Sequence, residues 1–322
     1  NGQTQEALDA VETLIKSYPN EALLFNISGI CYKTIGKLDE AVKSFKKALA
    51  LKPNYAEVHY NLGVTLQELG QLKSAVKSYE EALAIKPDYA IAFNNLGLTL
   101  QKLDQLDAAV TCYEQALAIN PDFADAYNNL GITLKNLGRL DEAVTCYEKT
   151  LTIKPDYVEA HNNLGNALND LGQLDAAVKS FESAIEIKPN YAEAHNNLGN
   201  TLTSLDQLDV AKNCYERAVT LKPDYAEAHN NLGNTLTNLD QLDAALVSYE
   251  RALVLNPELN FLLGQSLHTK MHLCIWDDLP NRLNELTKKI NNNEKVITPF
   301  HLLGLIDDPE IQRKTAEIFT NP

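Results

Sequence analysis

Between residues 22 and 259 apolar residues return at i, i+4, i+8 and i+11, as at Ala160, Leu164, Leu168 and Leu171. That spacing is one face of an amphipathic helix. The residue after each such face is Gly36, Gly70, Gly138 or Gly172, or else Asp104, Asp206 or Asp240. Gly, and less readily Asp, tolerates the left-handed conformation that ends a helix, so a turn and a second helix follow. The whole pattern recurs. Pro19, Pro53, Pro87, Pro121, Pro155, Pro189, Pro223 and Pro257 are spaced by 34 without a slip. Seven full units run from Ala22 to Leu259 (22–259), and residues 1–21 read as the second half of a truncated unit.

Within the units, position 8 is always Gly (Gly29 to Gly233), position 17 always Leu and position 20 always Ala. Position 24 is always aromatic: Phe45, Tyr79, Tyr113, Tyr147, Phe181, Tyr215 and Tyr249. Together these residues resemble the tetratricopeptide repeat, a helix–turn–helix unit of the same length. A single hairpin is too thin to bury its own apolar face, so neighbours must stack. The expected architecture is all-α, a right-handed α-solenoid, with 260–322 forming a helical cap or linker.

Polar positions on the first helix of each unit carry the functional signal. Position 6 reads Ile27, then Asn61, Asn95, Asn129, Asn163, Asn197 and Asn231. Position 5 adds Asn26, Asn94, Asn128, Asn162, Asn196 and Asn230, with Tyr60 the exception. Asn is a poor helix-interior residue because its amide competes for backbone partners. Its side chain offers a donor and an acceptor, the complement of a peptide unit. Repeats stacked at about 10 Å match about three residues of extended peptide. A column of such amides therefore suits a clamp on extended polypeptide. The alternative is that the amides bond between neighbouring helices. Position 9 changes from Ile30, Val64, Leu98 and Ile132 to Asn166, Asn200 and Asn234, which predicts a greasier early groove and a more polar late one. The acids at position 2 (Glu57, Asp125, Glu159, Glu193, Glu227) fit capping boxes with Asp156, Asn190 and Asp224.

Charge narrows the partners. Against 28 Lys and Arg stand 43 Asp and Glu, for a formal charge of −15. Nucleic acid and anionic lipid both need a basic footprint, so neither is the expected ligand. No apolar run approaches the roughly 18 residues of a membrane span. The five cysteines form no CxxC pair and three alternate with Ser at one register position, which predicts free thiols, a reducing compartment and a cytoplasmic setting. A homodimer through the convex face is compatible with the pattern.

After Leu259 the register fails. The tail predicts two helices broken around Trp276-Asp277-Asp278, a short element over ITPFHLLGL, and a last helix capped by Asp308 with Pro309 at its first position. Trp276 is expected as a core plug. The A-E-A-H-N-N-L-G-N repeats, followed by Cys274-Ile275-Trp276-Asp277, Pro299-Phe300-His301-Leu302-Leu303 and Asp307-Asp308-Pro309, resemble the O-linked N-acetylglucosamine transferases and their SPINDLY-like bacterial relatives. That resemblance implies an asparagine ladder from Asn61 to Asn231 holding the backbone of acceptor proteins. It also implies acidic positions that contact acceptor side chains, and a nucleotide-sugar-binding half that this chain lacks.

Chemistry within the chain itself is not expected. His59, His161, His195 and His229 share position 4 with Phe25, Phe93 and Tyr127 and read as fillers of an aromatic slot. His268 and His272 have the spacing of a helical zinc pair, but Thr269 breaks HExxH, so no metal is expected. No cofactor motif is present. Three readings stand: the acceptor-recognition half of a glycosyltransferase, a free-standing scaffold or adaptor with no enzyme attached, and, least supported, a complete small enzyme.

Overall fold

The computed structural model describes residues 2–320, and the described residues form 19 α-helices and no strand. They are α1 (Gly2–Ser17), α2 (Ala22–Thr34), α3 (Leu38–Leu51), α4 (Ala56–Glu68), α5 (Leu72–Ile85), α6 (Ala90–Lys102), α7 (Leu106–Ile119), α8 (Ala124–Asn136), α9 (Leu140–Ile153) and α10 (Val158–Asp170). There follow α11 (Leu174–Ile187), α12 (Ala192–Ser204), α13 (Leu208–Leu221), α14 (Ala226–Asn238), α15 (Leu242–Leu255), α16 (Leu262–His272), α17 (Leu279–Asn291), α18 (Pro299–Leu303) and α19 (Pro309–Thr320). From α2 to α15 the first helix of every repeat has 13 residues and the second 14. The expected all-α, stacked-hairpin architecture is the observed one.

Two compact units divide the chain, Asn1–Ala167 and Leu168–Pro322. In the first, hairpins α2–α3, α4–α5, α6–α7 and α8–α9 pack one upon the next, and their first helices also touch, α2 on α4, α4 on α6 and α6 on α8. In the second, hairpins α12–α13 and α14–α15 repeat the arrangement, and α16 packs on α15.

Two sequence constraints explain each hairpin. The seven position-20 alanines, Ala41 to Ala245, are 0 % exposed, so the second helix meets its neighbours at close range. At Gly29, Gly63, Gly97, Gly131, Gly199 and Gly233 the position-24 ring lies directly over the position-8 Gly of the same repeat. A Cβ built on Gly63 would sit 2.8 Å from Tyr79 Cε1, and one on Gly131 2.7 Å from Tyr147 Cε1. No side chain fits there. The interhelix turn closes through a left-handed residue, with φ of 75° at Gly138 and 58° at Asp206, as the Gly/Asp alternation predicts.

The tail has its own core, made by Leu263, Leu267, Leu286, Ile290, Val296, Ile297 and Leu302. Helices α16 and α17 flank the expected break, and Asp308 Oδ1 accepts from the amides of Glu310 and Ile311, capping α19. Trp276 is not a plug. It is 53 % exposed, carried on the linker between left-handed Cys274 and Asp278, while aliphatic side chains fill the core beneath. The expected capping boxes also do not form on α12 and α14: these helices start after Tyr191 and Tyr225, with no side-chain cap bond. Glu193 instead pairs with Lys222 at 3.1 Å. All five cysteines are free thiols.

Candidate functional site: an anchored asparagine ladder

The two asparagines at positions 5 and 6 divide the work. Position 5 points inward: Asn26, Asn94, Asn128, Asn162 and Asn196 are buried. Position 6 is half-buried in Asn61, Asn95, Asn129, Asn163, Asn197 and Asn231 alike. Four of these inward residues, Asn26, Asn94, Asn128 and Asn196, then receive a bond from the outer residue of the next repeat. Within the first unit, Asn61 Nδ2 donates to Asn26 Oδ1 at 3.1 Å, Asn129 Nδ2 to Asn94 Oδ1 at 3.0 Å and Asn163 Nδ2 to Asn128 Oδ1 at 3.2 Å. Where Tyr60 replaces the inward Asn, its hydroxyl accepts from Asn95 Nδ2 at 3.0 Å, so the register survives the exception. Within the second unit, Asn231 Nδ2 donates to Asn196 Oδ1 at 3.1 Å. Asn197 Oδ1 accepts from its neighbour Asn196 at 3.4 Å.

The inter-helix alternative is thus realised, and it leaves capacity over. An amide has two N–H donors and a carbonyl with two lone pairs. In Asn61, Asn129 and Asn163 the bond across to the preceding repeat uses one N–H, and the carbonyl and the other N–H remain on the half-exposed face. The anchoring bond fixes the amide's direction, so a ligand peptide meets it without the usual loss of rotamer freedom. Beneath the ladder, Thr65, Thr99, Thr133, Thr201 and Thr235 turn their hydroxyls onto the backbone carbonyl four residues earlier, that of the ladder residue itself.

Position 9 also serves the interior. The buried position-24 tyrosines need an acceptor for their hydroxyl. In the first unit Tyr79 and Tyr113 donate to Gln67 Oε1 at 3.1 Å and Gln101 Oε1 at 3.2 Å, leaving Leu98 aliphatic and half-exposed. In the second unit position 12 is Thr203 or Thr237, whose hydroxyl also meets the phenol oxygen of Tyr215 or Tyr249, at 3.3 and 3.1 Å. There Tyr215 donates to Asn200 Oδ1 at 2.7 Å and Tyr249 to Asn234 Oδ1 at 2.9 Å. Asn200 Oδ1 also accepts from Asn231 at 3.0 Å. Asn200 and Asn234 are therefore tied into the hairpin by their oxygens. Asn166 is half-buried in a repeat whose position-24 residue is Phe181, which has no hydroxyl to satisfy. Burial holds the phenols far from ionisation, Tyr215 at about 12.

The position-4 histidines are more than fillers. Nε2 of His59, His161 and His195 bonds the carbonyl of Pro53, Pro155 and Pro189 at 2.9, 2.9 and 3.1 Å. A carbonyl only accepts, so Nε2 carries the proton. Just beyond, Lys52, Lys154 and Lys188 lie over Tyr55, Tyr157 and Tyr191 at 4.4, 4.4 and 4.9 Å from the ring centres. The period-34 proline is the joint that this ring and this cation brace.

Family models described as TPR repeat match residues 32–70, 66–104, 102–138, 165–205 and 199–240, and models described as tetratricopeptide repeat match 124–157, 226–259 and 146–179. The chain belongs to the tetratricopeptide repeat family. No curated protein matches it. Among solved structures it is similar to the anaphase-promoting-complex hetero-tetramer Cut9-Hcn1, with 18 % identity and TM-score 0.59 over 73 % of this chain and 46 % of that one. It is similar to YrrB, described as a TPR protein with an unusual peptide-binding site, with 24 % identity and TM-score 0.51 over 61 % of this chain and 99 % of that one. These two likenesses show the fold. MamA matches with 33 % identity and TM-score 0.49 over 51 % of this chain and 96 % of that one.

Proposed function

We propose that the chain is a protein-interaction scaffold that holds extended polypeptide along its first helices, and that it is the acceptor-recognition region of a glycosyltransferase resembling O-linked N-acetylglucosamine transferase. The observation that carries the first part is the ladder. Asn61, Asn95, Asn129, Asn163 and Asn231 are each steered by a bond to the preceding repeat, and Asn197 occupies the same register position. A row of fixed amides one repeat apart contacts a peptide backbone irrespective of its side chains, which suits a protein with many acceptors. Asn166 belongs with the ladder, while Asn200 and Asn234 support it through the tyrosines and bring their N–H groups to the same face. Leu98 and Ile132 give the first unit half-exposed apolar positions for ligand side chains.

The tail supports the second part. The segments around Cys274, Pro299 and Asp308, which carry the family resemblance, belong to one helical cluster with its own buried core. The scaffold is the protein-binding element in this reading, and it contributes no catalytic side chain.

The binding part is tested with an array of unrelated extended peptides, comparing the wild type with Asn129→Ala/Asn163→Ala. General weakening at retained helicity supports the clamp; undiminished binding refutes it. The glycosyltransferase part is tested separately, by incubating the full-length protein with a nucleotide sugar and a bound peptide. Sugar transfer supports it, and binding without transfer leaves the free-standing scaffold.

A further inference from the structure

Helix α16 ends in a group of imidazoles that neither the hairpins nor the ladder require. His268 Nε2 and His272 Nε2 face each other at 3.3 Å, one helical turn apart. His301, brought in by α18, stacks on the His268 ring with centroids 4.2 Å apart, and His268 meets His272 edge-on at 4.5 Å. His301 Nδ1 is buried without a hydrogen-bond partner, as is Gln265 Oε1 one turn before His268. His268, His301 and Gln265 line a 320 Å³ cavity with Asn234, Thr237 and Tyr249 of the last hairpin.

A neutral imidazole presents a free nitrogen lone pair at neutral pH, the form that ligates metals. The spacing is telling. Two nitrogens at about 2.0–2.1 Å from a tetrahedral zinc ion stand about 3.3–3.4 Å apart. The Nε2 pair, joined by a hydrogen bond, already has that bite, and a metal ion binding there would displace the proton between them.

We infer that His268 and His272 form a binding site for a borderline transition-metal ion of the zinc or copper(II) class, at the join between the last hairpin and the tail. Among the described residues no group of three or more His, Cys, Asp and Glu side chains is arranged to hold a metal ion, so the site is a two-histidine one whose remaining positions are open to water or to a ligand group. The absence of HExxH excludes a zinc protease with a glutamate base. It does not bear on binding, because i, i+4 imidazoles chelate without a base.

The test is a calorimetric titration of the 322-residue chain with zinc chloride, and separately with copper(II), at pH 7.5 and at pH 5.5. The expected result is one equivalent bound at pH 7.5, with affinity at least about tenfold lower at pH 5.5, where protons compete for the imidazoles. His272→Gln removes one ligand from an exposed position and leaves folding intact, and it should weaken binding by about tenfold or more. His59→Gln, in the first unit, should leave binding unchanged. No saturable binding, or equal binding by wild type and His272→Gln with matching circular dichroism, would overturn the site.

Discussion

Replacing Gly131 by Ala tests the packing that shapes every hairpin. In an exposed helix interior this change stabilises by about 0.8–1 kcal/mol, because Gly loses more backbone freedom on folding. Here the new Cβ would meet Tyr147 Cε1 at 2.7 Å, Cζ at 2.9 Å and Cδ1 at 3.0 Å. Ordinary carbon contacts lie at about 3.5–4.0 Å, so the ring must retreat by roughly 0.8 Å. Tyr147 is fully buried, and overpacking of that order costs about 1–3 kcal/mol. The helix gain offsets part of the cost, leaving a net loss of up to about 2 kcal/mol. A repeat array need not unfold in one step. Hydrogen exchange across 124–153 is therefore the suitable assay, because it reads the opening free energy of this hairpin alone. In a Tyr147→Val background the ring is gone, and the same substitution should become neutral or stabilising. Increased protection from Gly131→Ala with Tyr147 in place would refute the close approach.

Four further outcomes follow from the same contacts. Asn129→Ala leaves the buried Asn94 carbonyl without its cross-repeat donor, so hydrogen exchange should show the fourth hairpin losing about 1 kcal/mol of local stability. In a double-mutant cycle of Asn234→Ala and Tyr249→Phe, the pair should show a coupling energy of about 1 kcal/mol, and zero coupling would remove the Tyr–Asn account of position 9. Asp206→Gly relieves a left-handed residue that carries a Cβ, and chemical denaturation should show a gain of up to about 1 kcal/mol. Folding lowers the pKa of His268, His301 and His229, chiefly by burial, so the unfolded chain binds more protons in acid. The melting temperature in metal-free buffer should be steady above pH 6.5 and fall as pH drops below it, with His268→Gln reducing the slope.

The helices were legible because their signals are local. Apolar spacing, an αL-tolerant residue and a proline joint recur seven times, and each repetition removes an alternative reading. The identities at positions 8 and 24 were visible too, but not that they explain each other, since a contact between residues 16 apart needs the hairpin's geometry. The histidines at position 4 share a slot with Phe and Tyr, which hides their bond to a backbone carbonyl, a partner with no sequence signature. Position 9 carries a second constraint of the same kind: Asn200 and Asn234 accept from buried phenols, so the position reports the interior as well as the surface. Trp276 misled because its size argues for burial, whereas the tail core is already filled by seven aliphatic residues.

The central claim is that the outward amides of the ladder touch ligand backbone. Side-chain NH2 resonances of Asn129 and Asn163 in asparagine-labelled protein test it directly, during titration with unrelated extended peptides. Selective shifts in both pairs, saturating together and common to peptides of different sequence, are the predicted result. Unmoved resonances in a protein shown by calorimetry to be saturated with peptide would place the ligand elsewhere and reduce the ladder to a bond between repeats.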